Sequence, residues 1–143
     1  MASVIAVAKF ILERTGEVSA MKLQKLVYYS QAWHMVWEDE PLFDEDFQAW
    51  ANGPVLPALY ARHRGQFKVD ASVVADAVEV MPENAAKNIE KVLGFYGTKS
   101  GFWLSNLTHS ERPWLEARGE TAIGDRSEAV ISKAAMAEYY GSL

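Results

Sequence analysis

The sequence predicts a mainly α fold: one compact domain of about six to seven helices, with a short β piece near residues 43–50. The chain has 143 residues, which is the usual size of one domain. Apolar residues make up 50% and charged residues 23%, as in ordered globular proteins. Apolar side chains recur at helical spacing in several segments that are bounded by capping residues.

The first two helices have clear boundaries. Residues 4–15 form an apolar stripe between Ser3, a predicted N-cap, and Gly16. A second helix begins after Ser19 and ends near Glu38, where further acidic residues and a proline follow. Its apolar side is lined by Leu23, Leu26, Val27, Ser30, His34 and Trp37, whereas Lys22, Gln24, Lys25 and Gln31 are predicted to lie mostly elsewhere on the helix.

The middle of the chain has weaker signals. Residues 42–50 lack a helical period and are predicted to be extended. Asn52–Pro57 is predicted to be a turn, because glycine and proline favour one, and Pro57 suits the start of a short helix through His63. Residues 66–81 mix β-branched residues with alanines and are predicted to be a flexible or partly helical surface linker.

Helical patterns return in the last third of the chain. Amphipathic helices are predicted over residues 82–95 and, in shorter form, 100–108. Ser110 is predicted to cap the next helix, because this choice places Pro113 in the first turn, where no amide hydrogen bond is needed. A last helix follows Ser132, with Met136, Tyr139 and Tyr140 on its apolar side.

Composition excludes several functional classes. The net charge of −5 argues against a general nucleic-acid binder. The absence of cysteine excludes disulfide scaffolds, thiolate zinc sites and thiol nucleophiles. No basic residue precedes the apolar residues 4–8, and no apolar run approaches the roughly 20 residues that span a bilayer. We therefore expect a cytoplasmic protein without a membrane or nucleic-acid partner.

The histidines do not form a recognisable metal or catalytic motif. His34, His63 and His109 lack the spacing of a zinc site, and no cofactor or metal is predicted. His34 lies on an apolar helix side and is interpreted as a buried histidine with one hydrogen-bond partner. Residues 108–111 gather a hydroxyl, a base and an acid, but neighbours in sequence seldom point at one substrate atom. No catalytic residue is assigned.

The five tryptophans allow two interpretations. They could fill the core of a small domain, or they could form an exposed patch for a protein partner. Trp33 and Trp37 share a helix side with His34 and are predicted to be core residues. Trp103 and Trp114 flank residues 108–113 and are predicted to lie at the surface or in a cleft.

Three blocks in order carry a family resemblance: Met21–His34, Pro41–Tyr60 and Leu107–Arg118. Together they resemble the Panacea domain, a phage-associated family of unknown function. The resemblance covers about residues 20–118, and a single Panacea-like domain is expected over residues 1–143, without an appended DNA-binding segment. The family is mainly helical and occurs beside many unrelated small toxins in bacterial and prophage genomes. Its members are interpreted as antitoxins that neutralise the neighbouring toxin by direct contact.

The resemblance implies a non-enzymatic antitoxin that binds a cognate toxin. The net charge of −5 favours a basic partner, such as a nucleic-acid-directed toxin. Two alternatives stay open: a small hydrolase-type enzyme using His109 with Thr108 and Glu111, and an adaptor that delivers its partner to a protease. Candidate partner-binding or structural residues are Lys22, Gln24, Lys25, Trp33, His34, Trp50, Gly53, Pro54, Tyr60, Thr108, His109, Glu111 and Trp114.

Partner choice is predicted to lie outside the three blocks. The blocks are rich in glycine, proline, tryptophan and capping residues, which define backbone geometry and so indicate a scaffold. We therefore assign partner specificity to Gln66–Asn84 and Glu120–Ala129 as a hypothesis.

Overall fold

Seven α-helices and five short strands build the protein in the computed structural model, which describes residues 1–143. This architecture confirms the mainly α fold predicted from the sequence. The helices are α1 (Val4–Thr15), α2 (Ala20–Glu38), α3 (Pro57–His63), α4 (Glu83–Tyr96), α5 (Gly101–His109), α6 (Arg112–Arg118) and α7 (Lys133–Gly141). The strands are β1 (Val18–Ser19), β2 (Phe47–Trp50), β3 (Gly53–Val55), β4 (Lys68–Val69) and β5 (Val130–Ile131).

Helix α2 is the centre of the fold, because α1, α4, α5 and α7 all pack against it. It is consequently buried on nearly every side, including positions that carry polar side chains. Gln24, Lys25 and Gln31 are buried, so the prediction that they lie away from the packed side of the helix was wrong. A helical period compares one side of a helix with the other and cannot detect a helix that is enclosed all round.

Strands β2 and β3 form an antiparallel hairpin in which Trp50 pairs with Gly53, and β5 pairs with the other edge of β2. The short β piece predicted near residues 43–50 is therefore present. The predicted turn over residues 52–57 was only partly correct. The reversal occurs at Ala51–Asn52, and Gly53–Val55 already belongs to the returning strand.

Two glutamines of α2 hold the two ends of this hairpin segment. The amide of Gln31 accepts a hydrogen bond from the Leu42 N–H (2.7 Å) and donates one to the Phe43 carbonyl (2.8 Å). The amide of Gln24 accepts from the Leu56 N–H (2.9 Å) and donates to the Leu56 carbonyl (3.4 Å). Each buried amide thus satisfies backbone groups that would otherwise be unpaired inside the protein.

Residues 66–81 were predicted to be a flexible or partly helical linker; the segment is partly helical, but it is more ordered than a flexible linker. Strand β4 pairs with β1 in a second small sheet, and residues 71–74 form a 3-10 turn. Val69 and Val74 are buried in the main core, which holds this segment against α1. The pairing joins residues about fifty positions apart, so no local pattern indicates it.

Serine side chains cap α1, α2 and α7: Ser3 is the predicted N-cap, and Ser19 and Ser132 are the residues after which the second and last helices are predicted to begin. The predicted cap of α6 was wrong: Ser110 ends α5, and Glu111 precedes the first residue of α6. The side chain of Glu111 makes no capping hydrogen bond, because it is directed into the core instead.

Glu111 is the acceptor at the centre of a buried tyrosine cluster. The hydroxyls of Tyr29 and Tyr140 each donate to its Oε1 atom at 2.7 Å. Only 6% of Glu111 is exposed, and burial raises the pKa of its carboxyl above the usual value, although the two hydroxyls act in the opposite direction. Tyr29 also stacks on Tyr96 at 4.1 Å between ring centroids, so the cluster joins α2, α4, α7 and the α5–α6 junction.

This raised pKa predicts a specific pH dependence of stability. The folded state favours protonated Glu111, so that contribution is present in full below pH 4.5 and is lost as the pH rises through the folded-state pKa. The Glu111→Gln variant has no such ionisation. Urea unfolding of both proteins between pH 4.5 and neutrality should show wild type losing stability relative to the variant as the pH rises. A difference that is constant over this range would contradict the assignment.

Candidate functional site

A cavity of about 470 Å³ lies between the first half of α2, the β2–β3 hairpin, α3 and the segment that precedes β5. One wall is formed by Gln24 and Lys25 of α2, and the facing wall by aromatic and imidazole side chains of the hairpin and α3. The lining residues are Ala20, Met21, Gln24, Lys25, Trp50, Ala51, Asn52, Val55, Tyr60, His63, Gly65, Gln66, Phe67, Arg126, Ser127 and Glu128.

Lys25 is the most unusual residue in this cavity. Only 1% of it is exposed, and it makes no hydrogen bond or ion pair with any other group of the chain. Burial lowers the pKa of its amine from 10.5 to about 7. Buried lysines are normally paired, so an unpaired amine at the wall of a cavity is typical of a functional group.

Gly53 determines how closely the hairpin covers the Lys25 side chain. A Cβ atom at this position would overlap the Lys25 Cε atom and would lie 2.9 Å from the Thr108 hydroxyl oxygen. The φ angle of Gly53 is +117°, which side chains other than that of glycine rarely adopt. Both constraints require glycine here, which gives this predicted signature residue a structural role.

His63 and Gln24 form a buried polar pair beside Lys25, with 2.9 Å between the Gln24 Nε2 and His63 Nε2 atoms. Burial lowers the pKa of His63, and the neighbouring charge of Lys25 acts in the same direction. His63 was not among the predicted site residues. Its position three residues after Tyr60 on one short helix would have placed both on the same side.

Trp50 and Tyr60 provide the aromatic wall. Their ring centroids are 4.9 Å apart in an edge-to-face arrangement, and the Trp50 indole donates to Gln48 (2.8 Å). Trp114 lies behind them, and its indole N–H donates to the Trp50 carbonyl (2.9 Å). Trp114 is only 1% exposed, so the prediction that it lies at the surface or in a cleft was wrong.

The residues of the hydrolase alternative do not converge on one point. The Thr108 hydroxyl donates to the Ser105 carbonyl (2.7 Å), and Glu111 accepts from the tyrosines described above. His109 stacks on Trp114 at 4.1 Å, and its Nε2 atom is buried without a partner. Burial lowers the pKa of His109, with the charges of Lys25 and Arg118 acting in the same direction. The arrangement therefore lacks the hydroxyl–imidazole–carboxylate contacts that a nucleophilic triad requires.

The remaining predicted site residues hold the scaffold together. Lys22 donates to the Gly97 carbonyl (2.6 Å), and the Trp33 indole donates to the Tyr96 hydroxyl (3.0 Å). His34 is buried with Asn88 as its partner (3.1 Å), as predicted. Pro54 pairs with Ala49 in the hairpin.

Comparison with known proteins identifies the family. The model of the antitoxin SocA-like, Panacea domain family matches residues 23–115, which include most of α2, the hairpin and α3. The chain belongs to this family. Antitoxin SocA of Caulobacter vibrioides (strain NA1000 / CB15N) is 28% identical over 125 residues, which cover 76% of this chain and 66% of that relative. The chain thus spans slightly less than two thirds of the length of this curated relative.

Family membership supports an antitoxin-like role for this Panacea protein. No solved structure matches the chain. No helix is long and apolar enough to cross a membrane, and no three histidine or acidic residues are grouped where they could hold a metal ion.

Replacing Lys25 by methionine should stabilise the protein, because the unpaired amine is costly to bury. A pKa lowered from 10.5 to about 7 means that the buried charge destabilises the folded state by at most about 5 kcal/mol, at about 1.4 kcal/mol per pH unit. The gain in the free energy of unfolding should be largest below pH 7. It should shrink as the pH rises towards and beyond 10.5, because the lysine then becomes neutral in both the folded and the unfolded state.

Urea unfolding across this pH range measures the effect, with Lys68→Met on the exposed part of β4 as the matched control. An equal or lower stability of Lys25→Met near neutral pH would show that the amine has a stabilising partner.

Proposed function

We propose that this Panacea protein neutralises a cognate bacterial or prophage toxin in the cytoplasm by binding it directly. Family membership supports the antitoxin role, and a relative is named Antitoxin SocA. The observation that favours direct binding is a continuous row of exposed aromatic side chains on the outer side of α2, α4 and α5.

This row, which we call the aromatic stripe, consists of three exposed rings: Trp37 and Phe95 line one groove, and Lys99 lies beside both Phe95 and Trp103. Trp37, Phe95 and Trp103 are 43%, 57% and 40% exposed. The Lys91 amine lies 5.1 Å from the Trp37 ring, and the Lys99 amine lies 5.6 Å from Phe95 and 4.9 Å from Trp103. The exposure of Trp37 overturns its prediction as a core residue, whereas that of Trp103 agrees with its prediction.

The aromatic stripe has the composition of a protein-binding surface. Tryptophan and other large aromatic side chains dominate interface hot spots, because they bury much apolar area with little loss of conformational freedom. Trp37 and Phe95 also line a shallow groove of about 390 Å³ that can accept an apolar side chain of a partner. The stripe is bordered by charges of both signs, since Lys91 acts on Glu38 and two further acidic residues follow Glu38 in the chain. The stripe therefore gives no added support to the basic partner expected from the net charge.

Co-expression with the product of the neighbouring toxin gene tests the proposal. The protein should restore growth and should co-purify with the toxin. The Trp37→Ala/Phe95→Ala double variant should weaken binding on the order of 100-fold, as expected for two hot-spot residues. Leu115→Ala is the control. Leu115 lies on α6, outside the stripe, and is exposed to the same extent as Trp103.

Each other outcome has a defined meaning. Restored growth without co-purification would contradict direct capture and would favour an indirect route. Loss of the toxin only when a host protease is present would favour the adaptor alternative. Unchanged toxin binding by the double variant would show that the toxin binds outside the stripe and would contradict this binding face.

Partner specificity remains assigned to Gln66–Asn84 and Glu120–Ala129. Both segments expose apolar side chains, including Phe67 and Ile123, and both contribute to the mouth of the cavity. Transplanting Gln66–Asn84 into a relative with a different toxin should transfer the ability to neutralise this protein's toxin, as measured by growth rescue. Unchanged specificity of the recipient would contradict the assignment.

A further inference from the structure

We propose that the cavity beside Lys25 binds a small organic anion whose carboxylate or phosphate group pairs with the Lys25 amine. The site is separate from the aromatic stripe, and the proposal does not depend on toxin binding. It follows from the position of an amine without a hydrogen-bond partner at the wall of an open cavity.

Lys25 differs from other buried polar residues of the protein in having no hydrogen-bond partner. Gln24, Gln31 and Arg118 are also buried polar residues, and each of them makes hydrogen bonds to backbone or side-chain groups. Lys25 has no such partner and instead lines the open cavity. A buried ammonium without a partner is unfavourable, and an incoming anion would supply the missing charge and acceptor atoms.

The inner walls of the cavity carry no negative charge that could pair with Lys25. No carboxylate belongs to the inner walls of the cavity, and the one acidic lining residue, Glu128, lies at the exposed mouth, where its Oε1 atom is 3.9 Å from the Arg126 guanidinium. Asn52, His63 and Gln24 add uncharged polar groups to the walls. This set of side chains favours an anion and offers no ligands for a cation.

The cavity also has the apolar surface and the volume to hold the uncharged part of an organic ligand. Trp50 and Tyr60 form an aromatic wall, and Met21 and Val55 add apolar surface. A volume of about 470 Å³ is within the usual range for small-molecule sites. The cavity therefore suits an anion with a planar or apolar body better than a bare inorganic ion.

Anion binding should depend on pH through Lys25. Its amine has a pKa of about 7, so above this pH the anion must bind together with a proton. The affinity should then fall about tenfold per pH unit above neutrality and should level off below it. The other titratable and charged groups around Lys25 are Tyr60 and His63 of α3, His109 of α5, Arg118 of α6, and Arg126 and Glu128 at the mouth. Burial lowers the pKa of both histidines, which favours their neutral forms beside Lys25.

The test is an NMR titration of the full chain with isotope-labelled lysine and four probes: acetate, benzoate, inorganic phosphate and phenyl phosphate. Benzoate and phenyl phosphate should bind more tightly than acetate and phosphate, should shift the Trp50 and Tyr60 resonances and should raise the pKa of Lys25. Lys25→Met should weaken binding on the order of 10- to 100-fold, the usual effect of losing a charge-assisted hydrogen bond. Lys68→Met should leave the affinity unchanged.

A further pair of probes separates the sources of the anionic group. A short peptide with a free C-terminal carboxylate and the same peptide as its amide show whether a polypeptide end enters the cavity. Tighter binding of the free acid than of benzoate would identify a polypeptide terminus as the source, and the reverse would identify a free small molecule. The proposal is overturned if no probe binds at millimolar concentration, or if binding persists unchanged in Lys25→Met. Neither result would affect toxin binding through the aromatic stripe, which is measured separately.

Discussion

Two glutamine amides on the central helix are the constraint on which the site depends. Gln24 and Gln31 are seven residues apart on α2, and each pairs with the backbone at one end of residues 42–56. Because both ends are held, the β2–β3 hairpin lies in a defined position over the helix. The cavity exists because the hairpin covers α2 at this distance, with Gly53 allowing the close approach to Lys25.

The same arrangement explains why the interior contains so many polar groups. Glu111 is satisfied by two tyrosines, and Arg118 donates to three backbone carbonyls. These groups contribute specificity, since each aligns several elements at once. Lys25 differs from them because it has no hydrogen-bond partner in the chain. This difference separates the structural role of Glu111 from the binding role that we propose for Lys25. The aromatic stripe and the cavity are therefore separate parts of the molecule, whereas the two segments to which we assign partner specificity border the mouth of the cavity.

Local patterns predicted most of the helices, because caps such as Ser3 and Ser19 and apolar periods act within one segment. Features that depend on distant pairing were not predictable in this way. Residues 68–74 are ordered by pairing with β1, and the burial of Lys25 depends on a hairpin that follows it by more than twenty residues. Ser110 and Glu111 are both capping residue types, and only the tyrosine partners of Glu111 decide between them. The candidate residues taken from the resemblance to the Panacea family include four that line the cavity, Gln24, Lys25, Trp50 and Tyr60, but geometry was needed to distinguish the cavity wall from the core.

Native-state hydrogen exchange of the Leu42 and Leu56 amides is the most direct test of this account. Both amides donate to glutamine side chains, outside any helix or strand. If the two glutamines hold the hairpin, these amides should exchange only by global unfolding, with the same free energy as amides in the middle of α2. Rapid exchange of either amide through local opening, while α2 remains protected, would show that the hairpin is not held by α2 and would contradict the account.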